Sequence, residues 1–290
     1  MKSSLSRRKI RPSHLLAYGF IYFCSFLIFA VTAFFVIYIF VKGIKGISLG
    51  FLTEAPNPIQ KTVGIFPSIV NTLYIIIFAL LFSTPLGVFG AIYLTEYAKN
   101  QKVIRIIEFA IETLAGIPSI IYGVFGYMFF CLALDLKVSL FSGVLTLTIM
   151  VLPTIIRTVQ EALKAVPKSY REGALAMGAT KWTMIRTILI PNSLYGIITA
   201  VILSTGRIVG ESAALLLVAG GSAMSMPHWS VFKQLASSGS TLAVELFRYA
   251  YTRGQSEVGF SIAVVLLLVV LVLNLLTGFI GKALNRGGSK

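Results

Sequence analysis

Two apolar runs constrain this chain more than any other feature of it. From Leu15 to Val41, and again from Val258 to Ile280, there is no charged residue. At 1.5 Å per helical residue each run is long enough to cross a hydrocarbon core of about 30 Å. In that medium every backbone amide and carbonyl must be paired within the protein, so the runs specify helices, and a chain with several of them specifies an all-α membrane bundle. The balance of residues agrees: 57% of the 290 positions are hydrophobic and 12% are charged, far from the proportions of a soluble domain. The first run exceeds the core of a signal peptide and no small-residue cleavage site follows it, so it is expected to stay as a span.

Four more spans are read between these two. One covers about Ser68 to Thr95 with Pro85 inside it, and another about Arg105 to Leu134, interrupted by the sequence GIPS at Gly116 to Ser119. The remaining two cover about Leu140 to Ile156 and Ser193 to Val218. The expectation is therefore six transmembrane helices (15–41, 68–95, 105–134, 140–156, 193–218 and 258–280) in a single domain, 15–282, between short tails, 1–14 and 283–290. Residues 219–257 are too polar and too rich in Gly and Ser to span, and 157–191 form a long loop on the opposite side. With the N-terminus inside, Lys and Arg number 17 on the inner segments and 7 on the outer ones. That asymmetry places both termini and the 157–191 loop in the cytoplasm. The net charge of +15 is then topology and contact with lipid, and nucleic acid is not needed to explain it. Cys24 and Cys131 both fall in apolar runs and read as small hydrophobes.

The loop carries the most local information. Pro167 breaks what precedes it, and Ser169 with Glu172 three residues on has the spacing of a capping box. Gly178 is placed for a left-handed helix end, after which Thr180 can cap a second short helix that runs to Pro191. Between these signals Gly173, Ala174 and Ala176 carry almost no side chain, so another surface can approach the backbone closely, and Met177 offers an adaptable apolar contact. A helix lying on the headgroups would need the same amphipathic pattern, and the physics leaves the two readings about even.

Charge within the membrane is the other informative feature. Arg207 and Glu211, flanked by Gly206 and Gly210, lie near the middle of the fifth expected span. Four residues apart on a continuous helix, they would share a face. Each would cost about 2.5 to 3.5 kcal/mol at the bilayer centre, so they must meet a polar interior. A guanidinium presents a planar fork of donors suited to an oxyanion, and a neighbouring carboxylate would hold it in place. A pair that only ties two helices together is the competing reading. Glu108 and Glu112 read as interfacial groups or as partners of Arg105. His14 and His228 sit alone. No phosphate-binding loop, metal-ligand cluster or cofactor motif is present in the sequence, so the chain is expected to be non-catalytic.

The spacing Glu172, Gly173, Ala174, then Gly178, then Ile188, Ile190 and Pro191 resembles the EAA loop of permeases from binding-protein-dependent ABC importers, with Gly173 for Ala and Ile190 for Leu as its departures. GRIVGESAALLLVAGG from Gly206, LAGIPSIIYGVFG from Leu114 and GAIYLTEYAK from Gly90 are similar to motifs of the A-type permeases of phosphate importers, and the likeness extends over about Ile65 to Ile280. Ala214 stands where that family usually has Pro, and Asn71 where it often has Gly. The resemblance implies a type I importer architecture and a heterodimer with a second, related permease. It also implies a dimer of ATP-binding subunits docked on the EAA loop, an external phosphate-binding protein, and Arg207 and Glu211 as charges of the translocation path. A permease for molybdate or sulfate stays open within this class, since Arg207 does not distinguish tetrahedral oxyanions. A self-sufficient secondary transporter or channel is the reading from outside it.

Overall fold

The computed structural model describes residues 12–57, 62–221, 226–228 and 230–287; the calls on the rest of the two tails lie outside them. The described chain is helical throughout apart from an isolated β-bridge between Asn57 and Thr62. Helices α1 (Pro12–Gly43), α2 (Leu49–Thr53) and α3 (Phe66–Ile92) come first, and α3 ends in a π-helical stretch, Tyr93–Tyr97. Then follow α4 (Gln101–Ala115), α5 (Ser119–Gly126, continued by a π-helical stretch to Ala133) and α6 (Leu140–Ala165). The loop holds α7 (Lys168–Ala176), α8 (Lys181–Met184) and, after π-helical Ile185–Leu189, α9 (Ile190–Asn192). The last part holds α10 (Leu194–Val209), α11 (Ala213–Val218), α12 (Val231–Ala236), α13 (Leu242–Phe247, then π-helical Arg248–Thr252) and α14 (Ser256–Gly287).

α6 is the axis of the molecule. Ser139 caps it by accepting from the Ser142 amide at 3.2 Å, and Leu140, Val144, Leu147, Met150, Val151, Ile155, Val159 and Leu163 along it are all fully buried. Such all-round burial suits a helix with neighbours on several sides, and here α3 and α10 pack along α6 while α14 packs on α10. Gly87 of α3 lies so close to Ile155 that even a methyl group would collide with it. α1 is the opposite case. No part of its most apolar window is buried, and it leans mainly on α14.

Among the described residues, four helices are long and apolar enough to cross a membrane, with up to six crossings if each of two bent helix pairs counts as one span. Both bends are physical. α4 and α5 meet at 100°, across Gly116 and Pro118, where Pro118 denies its residue the helical amide and disfavours a helical Ile117. The other bend, 65°, separates α8 and α9 from α10 at Ser193. The fifth expected span is also broken in its upper half, since α10 stops at Val209 and α11 starts at Ala213.

The segment after α11 closes on the rest of the protein through a buried polar network. Asn71 of α3 donates to the Ser240 carbonyl at 3.1 Å and accepts from Gln234 at 2.6 Å. Ser240 donates to Glu245 at 2.6 Å, and Arg248 pairs with the same Glu245 oxygen at 3.0 Å. The Leu242 amide donates to Thr72 at 2.9 Å, and the His228 amide to Gln234 at 2.7 Å. An apolar cluster of Phe51, Ile65, Leu242, Tyr249, Ile262 and Val265 packs beside this network.

Candidate functional site: an exposed helix and an arginine at a helix break

The α7–α8 loop is built as its local sequence specifies at one end and not at the other. Gly178 has φ +82°, its amide donates to Leu175, and the Ala179 amide donates to Ala174. These two bonds form a Schellman motif, which satisfies the last carbonyls of α7. Thr180 accepts from the Thr183 amide at 3.2 Å and so starts α8. The capping box does not form. α7 begins at Lys168, directly after Pro167, with no side-chain cap, because proline already sets the entry angle and places Ser169 within the first turn. Glu172 is left exposed on the wall of a cavity that it shares with Glu96, Glu108, Lys164, Lys168 and Arg171.

No residue of α7 is buried. A side chain added at Gly173 would meet nothing within 4 Å, Met177 is 88% exposed, and Leu175 and Trp182 are about half exposed. Of the small residues, Ala174 alone touches the core. The helix therefore presents an open strip of small residues beside exposed Leu175 and Met177.

What holds the loop was not read from the sequence. Arg171 donates from Nε to Glu96 at 3.0 Å, from Nη1 to the Val166 carbonyl at 2.8 Å and from Nη2 to the Leu163 carbonyl at 2.6 Å. Lys181 of α8 reaches the Glu96 carbonyl and lies over the Tyr97 ring, 5.0 Å from its centre. Ile188 and Pro191, the last part of the EAA spacing, lie in the π-helical stretch and in α9, where the chain bends into α10. Glu108 and Glu112 do not pair with Arg105. Glu108 pairs with Lys164 at 3.5 Å and Glu112 with Arg157 at 3.4 Å, fixing α4 across the end of α6.

Arg207 and Glu211 do not form a pair on one helical face. The turn at Gly210 intervenes, and among the described residues no ion pair joins them. Arg207 lies in the last turn of α10, where the helix dipole favours a cation, and its Nη1 donates to Thr154 of α6 at 3.3 Å. Glu211, 9% exposed, accepts from the Ala214 amide at 3.0 Å, so its carboxylate occupies the positive end of α11. The amide it uses is one that proline, common at this position in the resembled family, does not have. Each charge is thus balanced by a helix end. Gly206 meets nothing within 4 Å, and Gly210 meets only the Gly206 carbonyl of its own helix. The guanidinium therefore sits beside an open, nearly bare strip of α10.

Residues 83–289 match the family described as binding-protein-dependent transport system inner membrane component. A probable ABC transporter permease protein of Bacillus subtilis, YqgI, is 34% identical over 93% of this chain and 96% of its own length. The phosphate transport system permease protein PstA of Yersinia pestis is 35% identical over 81% of the chain and 78% of its own. Among solved structures, a chain of a bacterial alginate ABC transporter in complex with a pentasaccharide-bound periplasmic protein superposes with a TM-score of 0.66 at 15% identity, covering 94% of this chain and 95% of that one. A chain of the MetNI methionine ABC transporter superposes with a TM-score of 0.56 at 23% identity, covering 78% and 95%. At these identities the structural likeness concerns the fold alone.

Proposed function

Because the chain belongs to the binding-protein-dependent transport system inner membrane components, we propose that it is the non-catalytic permease subunit of an ATP-driven importer for inorganic phosphate. It makes half of a path whose other half comes from a second, related permease. The observation that carries this reading is α7, a capped helix of small residues that buries none of its own side chains in a chain whose relatives include PstA permeases. A dimer of ATP-binding subunits grips that helix, contacting Glu172, Gly173 and Ala174, with Gly178 setting the turn and Ile188 and Pro191 returning the chain to α10. An external phosphate-binding protein delivers the solute. Six spans with both termini in the cytoplasm fit the distribution of basic residues.

In this reading Arg207 is the cation of the path. It stands half-buried on the open strip of α10, its fork only partly used by Thr154, and it offers an oxyanion a weak, reversible contact, as transport requires. Glu211 shapes the path by holding the broken helix and does not touch Arg207.

The test is a tagged chain purified from its own membrane, followed by uptake of labelled phosphate against excess sulfate or molybdate. The expected result is co-purification of an ATPase subunit and a second permease, with uptake that neither competing anion suppresses. Arg207→Gln should reduce uptake at least tenfold with the complex intact, and Arg207→Lys should recover little, because an ammonium lacks the planar fork. Normal uptake by an assembled Arg207→Leu, Glu211→Leu double variant would remove both residues from the path.

A further inference from the structure

We infer that Arg171 and Glu96 are positioning residues that make α6 a lever between the docking helix and Arg207. The inference rests on reading α7 as the ATPase contact and adds how a push on α7 reaches the membrane. Arg171 precedes Glu172 directly, so it moves with the docked surface. Its three donors all point away from that surface, two to the terminal carbonyls of α6 and one to Glu96 at the end of α3. The side chain is 17% exposed and that of Glu96 9%. A guanidinium is the side chain whose rigid fork can hold two carbonyls and a carboxylate at once, and the negative end of α6 favours a cation there. Lys181 ties α8 to the same Tyr93–Tyr97 stretch. Both halves of the loop are therefore clamped to one place.

From that clamp α6 runs without interruption to Thr154, the residue that holds Arg207. Nine residues separate Leu163 from Thr154, about 14 Å at the helical rise. Along this length α6 packs one side, Ile155, Val159, Gln160 and Leu163, into the interior, so displacement of its end is passed on through a continuous packed helix. The cavity lined by Thr95, Glu96, Glu108, Lys164, Arg171 and Glu172 leaves the clamp room to shift. Thr95 Oγ1 and Gln160 Oε1 at its edge are buried acceptors without a hydrogen-bond partner among the described residues, which a second arrangement could use. Chains of packed side chains and hydrogen bonds of this kind are one way in which coupling between distant sites is carried.

The test reads motion at Arg207 without assuming any solute. A cysteine is placed at the open Gly206 in a chain carrying Cys24→Ala and Cys131→Ala, and the assembled complex is labelled with a charged thiol reagent with and without a slowly hydrolysed ATP analogue. The expected result is that nucleotide changes the labelling rate at least fivefold, and that Glu96→Gln or Arg171→Lys brings the ratio close to one while the ATPase subunit stays bound. A merely structural clamp would lower stability and leave the ratio alone. The lever is overturned if nucleotide has no effect in the parent chain, if its effect persists in both variants, or if both variants release the ATPase subunit. The docking reading fails separately, if Gly173→Trp retains the ATPase subunit.

Discussion

The two polar ends of the fold solve opposite problems. The segment from 230 to 255 is closed by its own chemistry: Asn71, Gln234, Ser240, Glu245 and Arg248 satisfy one another below the surface. The α7–α8 loop buries no side chain of α7; it is attached through two cations, Arg171 and Lys181, and through Met184 of α8, which lies in the core. A network buried this completely has one arrangement, since any partner left unpaired is costly. An exposed helix on a polar clamp has little to lose by moving. The contrast teaches where this protein is rigid by construction and where it leaves a helix open.

Substitutions sharpen or break that contrast. Glu245→Ala should have the largest effect on folding, lowering stability by about 3 to 5 kcal/mol by leaving Arg248 and Ser240 without their shared acceptor, as read by thermal unfolding of the purified chain in detergent. A variant that melts with the parent would mean that the network is decoration. Asn71→Ala comes next, at about 1 to 3 kcal/mol, because it strands a buried Gln234 amide and the Ser240 carbonyl. Glu211→Leu, which removes the acceptor of the Ala214 amide, should cost about 1 kcal/mol as a lost helix cap. Glu211→Gln keeps an oxygen there and should melt within about 0.5 kcal/mol of the parent; equal losses in the two would show that charge rather than capping matters at 211. Gly173→Trp should be the mildest for folding, since nothing surrounds that position, with an unchanged melting temperature and a pull-down emptied of ATPase. Strong destabilisation by this change would contradict the openness of α7.

What could be read in advance divides by distance along the chain. Gly178 and Thr180 were legible because helix ends are decided within a few residues, and the long apolar runs because a single helix satisfies its own backbone. Ser169 was misread since a proline immediately before a helix can set its start without a side-chain cap. The face shared by Arg207 and Glu211 was inferred by extending a helical period across Gly210. Gly210 followed by Ser212, a residue that can stand at a helix N-cap, is the local signal for the break that the period overrode. Arg171 with Glu96, and Asn71 with Gln234, lie 75 and 163 residues apart in sequence. No local pattern brings such partners together, and only the packing of α3 on α6 and on the later segment does so.

In the role proposed for Arg207, the break between α10 and α11 also bears on how quickly an anion can come and go. Had Arg207 been locked to a carboxylate, a passing oxyanion would need to displace that carboxylate from a partly desolvated ion pair. Held instead by a hydroxyl at 3.3 Å, it exchanges a single charge-assisted hydrogen bond. The turn at Gly210, by giving each charge a helix end in place of the other, keeps the dwell time of a solute from being set by the breaking of a salt bridge.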